Sequence, residues 1–435
     1  MQIKTTKITT ISDVPVRVGK IPGENEKVYS RNGTEYELRE ILNNGGGEGT
    51  IYKTNLSSEI VAKIYKTGKI TKRKEAKIQF MVQNKLQHTG ICFPVELLYN
   101  QRGAFVGYLM PMAKGDTLKN SLFGKPQFMD HFPNWKKYDV VELALTILKK
   151  MKYLHDRGIF IGDIKGENIL IVDSKEVYFV DTDSYQVGNF PCPVITEEFT
   201  PPELIGHKCD SILRTAGNEN FAVATLLFKI LMQGINPYAH VGGGSPLENI
   251  QKMNFSFPFG KSNFQTPGGS TGSYYCCWDH LSMKIREAFY NTFARNGTTN
   301  SEFSRPDVNR WIEIFEMYDY YLRNRLSSED ESNKVYPTEL RIKKGQGIFC
   351  KAGHHYVREK GFSERGRAIG VCRECLGASY ENHSYRCKCG KTILYTGFDH
   401  YIKRLPVPVN GECECNICNP KSGYITPESR FGTKH

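Results

Sequence analysis

The apolar period changes several times along the chain, and each change marks a predicted element. Residues 1–30 are polar apart from Val14, Val16 and Val18, and Pro15 inside that run predicts an extended arm or an edge strand. Residues 36–65 alternate, are rich in Ile, Val and Tyr, and enclose a glycine cluster, the pattern of a hairpin. Residues 71–87 read as helix, and strand character returns at 93–112. Val140, Leu143, Ile147, Met151 and Leu154 follow helical spacing. The short strand-like runs Ile169–Val172 and Val177–Val180 flank an Asp-Ser turn, and Phe221–Met232, apolar on every side, predicts a buried helix. Residues 241–275 are rich in Gly, Ser and Pro and predict a surface insertion. Two more helical stretches follow, Asp279–Phe293 and Arg305–Tyr321. The polar segment Leu326–Lys334 has no apolar face and marks a domain boundary.

A length of 435 residues suits two or three domains. No run approaches the roughly 18 apolar residues of a membrane span. The start, MQIKTTKITTISD, has no apolar core of a secretory signal. The expectation is a cytoplasmic protein whose 13 cysteines are not disulfides. The net charge of +12 changes the picture only through its location. From Pro337 to the end there are 17 Lys and Arg against 9 Asp and Glu, and eight of the cysteines lie between 350 and 418. Both oddities belong to one C-terminal segment.

Three segments carry chemistry. In Leu42-Asn43-Asn44-Gly45-Gly46-Gly47-Glu48-Gly49-Thr50-Ile51, glycines between strands let backbone N–H groups approach phosphate oxygens. In Val61-Ala62-Lys63-Ile64, an inward lysine in an apolar strand needs a pairing anion. Glu75, in the following helix, is the best carboxylate candidate; Glu59 lies too close to the hairpin turn. The third is Ile161-Gly162-Asp163-Ile164-Lys165-Gly166-Glu167-Asn168 before an apolar strand, followed thirteen residues later by Asp181 in Val180-Asp181-Thr182-Asp183. Two strand-end acids and an asparagine can hold Mg²⁺ and orient a hydroxyl.

The order and spacing of these segments, with Thr200-Pro201-Pro202-Glu203 after them, resemble a eukaryotic-like protein kinase over about residues 36–320. The resemblance implies an α+β, bilobal fold, with a small β-rich lobe and a large helical lobe, followed by a small zinc-binding module. The implied domains are an arm at 1–30, the kinase-like domain at 31–325, a linker at 326–336 and a zinc-ribbon-like module at 337–435. It implies ATP, Mg²⁺ and phosphotransfer to a Ser or Thr hydroxyl of a protein substrate. Lys63 would contact the α- and β-phosphates and pair with Glu75. Asp163 would accept the hydroxyl proton, Lys165 would neutralise the γ-phosphate, and Asn168 and Asp181 would hold the metal. Asn44, Gly45, Gly46, Gly47 and Gly49 would cradle the phosphates. Ile51, Ala62, Leu170, the gatekeeper Leu109 and a hinge from Met110 to Met112 would line the nucleotide. Arg305 would pair with Glu203. The wording Gly-Gly-Glu-Gly, Ile-Gly-Asp-Ile and Asn-Phe-Ala-Val-Ala is most similar to a bacterial branch with C-terminal zinc-binding segments. Its kinases occur beside a tellurite-resistance-type von Willebrand protein and a protein phosphatase, which are the implied partners.

Departures from the family pattern carry their own expectations. Asn44 replaces the first glycine. Gly162 replaces the arginine of His-Arg-Asp, so the activation segment lacks its usual phosphate anchor and should not need phosphorylation at Thr196 or Thr200. Asp181-Thr182-Asp183 replaces Asp-Phe-Gly, which disfavours a flip of this segment; Asp183 reads as a turn cap ahead of a metal ligand. Asn220 stands where an aspartate braces the catalytic loop. The alternative to an active kinase is a nucleotide-binding pseudokinase scaffold.

In the C-terminal segment, Cys350, His354, Cys372 and Cys375 have the spacing of one tetrahedral zinc site, with His355 the alternative to His354. Cys387, Cys389, Cys413, Cys415 and Cys418 supply five thiols for a second site. Cys387, Cys389, Cys415 and Cys418 are the chosen four, with Cys413 spare and His383 and His400 weaker alternatives. Both sites should be structural. No recognition-helix signature and little aromatic interleaving accompany them, which disfavours nucleic acid as a partner.

Overall fold

The computed structural model describes residues 7–239, 244–255, 257, 259, 272–324, 330–338, 348–349, 355–356, 383–395, 399 and 405–427. The chain forms two compact units. The first holds Met1–Ser256 and Asn291–Val335; the second holds Phe257–Tyr290 and Tyr336–His435.

In the first unit, the alternating N-terminal stretch forms strands β1 (Lys27–Tyr29), β2 (Glu35–Asn43), β3 (Gly49–Thr54) and β4 (Ile60–Tyr65). Helix α1 (Lys72–Gln83) follows, then β5 (Glu96–Tyr99) and β6 (Phe105–Pro111). All the pairings are antiparallel, and the six strands close into a barrel in the order β1-β2-β3-β4-β6-β5. Closure depends on β1, which pairs with β2 and, at Tyr29, with Tyr99 of β5. The last residues of the expected arm are therefore barrel strand. Its earlier part is tied down: Val16 N–H donates to Ile70 O at 2.9 Å, Arg73 N–H to Ser12 O at 3.0 Å, and Thr9 N–H to Asn189 O at 2.9 Å.

α1 starts where the Thr71 hydroxyl accepts from Lys74 N–H at 3.0 Å. Its buried residues are Lys77, Ile78 and Met81. The chain continues through β7 (Asp116–Thr117), α2 (Leu118–Leu122), α3 (Lys125–His131) and α4 (Lys137–His155) to the hairpin β8 (Ile169–Ile171) and β9 (Val177–Phe179). Helix α5 (Ala216–Leu231) begins five residues before the predicted Phe221. Its first turn, Gly217-Asn218-Glu219-Asn220, is buried though polar, so it carries no apolar periodicity. The Thr215 hydroxyl and the Asn218 side chain cap it reciprocally. Phe221, Phe228, Tyr238, Phe255 and Phe293 pack around it, Phe221 stacked on Tyr238 and four other pairs edge to face, with centroids 5.7–6.3 Å apart.

The expected surface insertion contains a short helix, α6 (Pro246–Gln251), capped by Ser245 and Glu248, with Ile250 fully buried. Most of the remainder of 241–275 lies outside the described residues. Further helices are α7 (Gly272–Asp279), α8 (Met283–Phe293) and α9 (Val308–Arg323), the last capped by Asp307 and packed on α4. In the second unit, β10 (Ile348–Phe349) pairs with β11 (His355–Tyr356), and β12 (His383–Arg386) with β13 (Thr392–Tyr395). No helix among the described residues is long and apolar enough to cross a membrane.

One core feature is costly. Lys77 is 5% exposed, and among the described residues its ammonium has only the Pro191 carbonyl, at 3.4 Å, as a hydrogen-bond partner. Burial pushes its pKa down to about 8, more than the nearby acids raise it. The unfolded chain therefore binds a proton here more tightly, and stability falls as pH drops from about 10.4 toward 8. Lys77→Met should stabilise the protein at pH 7 by about 1–3 kcal/mol, and the gain should vanish near pH 10.5. Urea denaturation at the two pH values checks this; an equal gain at both would contradict it.

Candidate active site and a thiol cluster

Lys63 lies on β4 and is paired in register with Tyr108 of β6 and Ile51 of β3. Residues paired across a sheet share a face, so Lys63, Val61, Tyr108 and Met110 point one way, and Ala62 and Leu109 the other. Of the residues expected to line the nucleotide, Met110 shares Lys63's face, with Val61 beside it, and Ala62 and Leu109 lie on the opposite face. β3 can approach β4 closely because of Gly49; a Cβ there would lie 2.7 Å from Ile64 O.

Lys63 is 5% exposed, and its ammonium pairs with Asp181 Oδ1 and Asp183 Oδ1, each at 2.6 Å. Burial alone would lower its pKa, but the two carboxylates outweigh burial and raise it. Asp183 is buried as well, and its other donors are Tyr65 Oη at 2.8 Å and Tyr108 Oη at 2.9 Å. Burial would raise its pKa; Lys63 and the two phenols hold it well below the usual carboxylate range. The expected turn cap is thus an ion-paired core residue. Glu75 does not reach Lys63: it meets Lys72 at 3.5 Å and lines a separate cavity of about 650 Å³ with Tyr29, Arg31, Gln79 and Tyr99. The physical reason is helix phase. The buried face of α1 carries Lys77, Ile78 and Met81, and at about 100° per residue Glu75 falls about 110° from the centre of that face.

The loop after α4 gathers polar groups round Asp163, which is 2% exposed. Lys165 pairs with its carboxylate. Asn168 Nδ2 donates to Asp163 O at 3.0 Å and Oδ2 at 3.2 Å, and Thr196 Oγ1 donates to Oδ1 at 2.7 Å. The brace is Glu219 and not Asn220: its carboxylate accepts from Ile161 N–H at 2.6 Å and Gly162 N–H at 3.0 Å. Gly162 has φ +72°, and a Cβ there would strike Cys192 Sγ at 2.6 Å. The buried guanidinium of Arg214 bridges Gly162 O to Val194 O. It thereby ties the loop to the following segment. Arg305 makes the expected fork to Glu203, with Nη2 2.8 Å from Oε2.

Asn168 and Asp181 sit at one end of the β8–β9 hairpin, where Val180 N–H donates to Asn168 O at 3.0 Å. Asp181 is left-handed, φ 57°, an uncommon conformation outside glycine. Thr182 is fully buried, its hydroxyl on Cys92 O at 2.7 Å. An asparagine whose Nδ2 is spent on Asp163 still offers Oδ1, so Asn168 and Asp181 form an oxygen donor set suited to Mg²⁺. The glycine-rich turn is exposed, with Gly45 N–H on Asn43 Oδ1 at 2.9 Å and Lys66 Nζ on Asn44 O and Gly46 O at 2.9 and 2.6 Å.

In the second unit, the β12–β13 hairpin brings together Cys387, Cys389, Cys415 and Cys418, all four sulfurs within 4.8 Å of one another. Contacts are 3.3 Å for Cys387–Cys389, 3.4 Å for Cys387–Cys418, 3.7 Å for Cys389–Cys415 and 3.8 Å for Cys415–Cys418. Zn–S bonds of about 2.3 Å give a tetrahedron with edges of about 3.8 Å, so the thiols fit one zinc ion. Burial would raise the Cys387 thiol, but N–H groups of Cys389 and Cys415 help pull it down to about 6, favouring the ligating thiolate. Cys413 turns away, its sulfur 3.0 Å from Val409 O. Cys350, His354, Cys372 and Cys375 lie outside the described residues, as do His400 and the side chain of His383.

Sequence reasoning missed Asp183 as the partner of Lys63, and also Glu219 and Arg214. Two signals were present: Tyr65 and Tyr108 in apolar strands, whose buried hydroxyls require a partner.

The protein kinase domain family matches residues 36–274, more than half of the chain. Protein kinase YegI of Escherichia coli O157:H7 is 25% identical over 312 residues, covering 68% of this chain and 46% of that protein. YegI of Escherichia coli K12 is 25% identical over 333 residues, covering 73% and 49%. Calcium-dependent protein kinase 5 of Plasmodium berghei is 19% identical over 321 residues, covering 71% and 52%. The chain spans about half the length of the curated relatives it matches. With Lys63, Asp163, Asn168 and Asp181 in the order and spacing noted above, the chain belongs to the protein kinase domain family.

Proposed function

We propose that the chain is an ATP- and Mg²⁺-dependent kinase of protein serine and threonine residues, two-lobed in its kinase part, with a zinc-bound C-terminal module that docks protein partners. The observation that carries this reading is the convergence of Lys165, Asn168 and Thr196 on the buried Asp163 carboxylate. Asp163 accepts the proton of an attacking hydroxyl, and the Thr196 hydroxyl at 2.7 Å gives an aliphatic alcohol already in that relation to it. Lys165 and Lys63 neutralise phosphate charge, and Asn168 and Asp181 would hold Mg²⁺, which would supply further neutralisation of the phosphate charge. Pro111 has no N–H, and Met112 N–H is spent on Glu59 O at 2.7 Å, so the hinge donor to adenine falls to Ala113. Rate comes from positioning and charge, not covalent chemistry.

Release of ADP from Mg-ATP by the purified chain tests the reading. Asp163→Asn should slow it by about 10²-fold or more. Turnover that the substitution leaves unchanged, or none in the parent protein, would favour the scaffold alternative.

Arg214 supports activity without phosphorylation of the activation segment, because its ligands are two backbone carbonyls and need no phosphate. A phosphate on Thr196 would set its charge against Asp163. Phosphatase-treated protein should turn over within about twofold of untreated protein, and Arg214→Leu should lose at least about tenfold. Activity that appears only after Thr196 or Thr200 is phosphorylated would contradict this.

The thiol tetrahedron predicts metal content. Two zinc ions per chain are expected from the two ligand groups, and Cys415→Ser should leave one. Zinc content unchanged by that substitution would remove the cluster from metal binding.

A further inference from the structure

Lys63 needs a carboxylate that stays with it when Asp181 turns to a metal. Two acids touch its ammonium, and they differ in setting. The Asp181 side chain is 36% exposed, at the open end of the β8–β9 hairpin. The Asp183 side chain is 7% exposed and receives three donors: Lys63, Tyr65 and Tyr108. Tyr65 and Tyr108 belong to β4 and β6, so Asp183 is fastened to the two strands that carry Lys63 and its register partner.

Helix α1 offers no substitute. Its Lys74 faces this side, with its ammonium on Glu48 and 4.9 Å from the centre of the Tyr65 ring. Lys77 is buried. Bringing Glu75 inward would require rotating α1 and withdrawing Ile78 and Met81 from the core. The N-terminal strap opposes that rotation: the Thr71 hydroxyl donates to Asp13 Oδ1 at 2.7 Å, and Arg73 Nε to Ile11 O at 2.9 Å.

We infer that Asp183, buttressed by Tyr65 and Tyr108, is the positioning residue that holds Lys63 for the nucleotide phosphates, and that Glu75 has no part in it. The inference rests on the proposed kinase reading. It makes the lysine anchor and the metal ligand Asp181 part of one segment, two residues apart. Lys63 is then held whatever the position of α1, and movement of that helix is not a switch for the site.

Binding of Mg-ADP and of adenosine to the full chain, by calorimetry, tests it. Both ligands need the adenine pocket; only ADP needs Lys63. Asp183→Asn should weaken ADP at least about tenfold and leave adenosine within about twofold. Glu75→Gln should leave both ligands and turnover unchanged. The double variant Lys63→Met with Asp183→Asn should bind ADP no more weakly than Lys63→Met alone, because Asp183 acts through Lys63. If Asp183→Asn does not fold, Tyr108→Phe, which removes one donor to Asp183, should weaken ADP about threefold and spare adenosine. The inference is overturned if Asp183→Asn weakens both ligands alike or neither, or if Glu75→Gln matches its loss. A parent protein that binds no ADP overturns the kinase reading itself; a parent that binds and turns over ATP keeps that reading whichever way Asp183 falls.

Discussion

The buried ammonium of Lys63 sets the terms for everything around it. A charge in a barrel wall needs close, hydrogen-bonded partners, and removing one partner of such a pair costs about 3–5 kcal/mol. Asp181 and Asp183 both stand at 2.6 Å, and two phenols complete the hydrogen bonding of Asp183. The segment 181–183 is therefore bound to the barrel by electrostatics, and Thr182 adds a buried hydrogen bond to Cys92 O. Asp181, in left-handed backbone, is held where its carboxylate meets Lys63.

The same principle recurs at the loop holding Asp163. Glu219, at the buried start of α5, takes two loop amides, and Arg214, two residues before that helix, takes the Gly162 carbonyl. These groups replace an aspartate and an arginine that the family pattern puts elsewhere in the chain. The ligands of Arg214 are backbone carbonyl oxygens, which are always in place, whereas a phosphate has to be added.

Much of this was legible beforehand. Asp163, Lys165, Asn168 and Asp181 stand out by local spacing, because a tight loop between a helix and a hairpin leaves few arrangements for its side chains. The four thiols were legible for the same reason. The Arg305–Glu203 pair, 102 residues apart, came only from the family resemblance. What stayed hidden depends on phase and long-range packing. Glu75 is the right residue type in the right helix, but helix rotation decides which way it points, and the buried Lys77 shows that the inward face is not its own. Leu109 and Met110 are adjacent, and only the pairing of Val61 with Met110 tells which shares the face of Lys63. Glu219 sits in a polar helical turn that apolar periodicity cannot detect.

The central claim is that Lys63 takes its carboxylate from the segment 181–183 and not from α1. A crystal structure of the chain with Mg²⁺ and a non-hydrolysable ATP analogue measures this directly. The account predicts Lys63 Nζ in contact with both the phosphates and Asp183, with Asp181 on the metal and Glu75 still on the far side of α1. Glu75 within hydrogen-bond distance of Lys63, with Asp183 released, would contradict it.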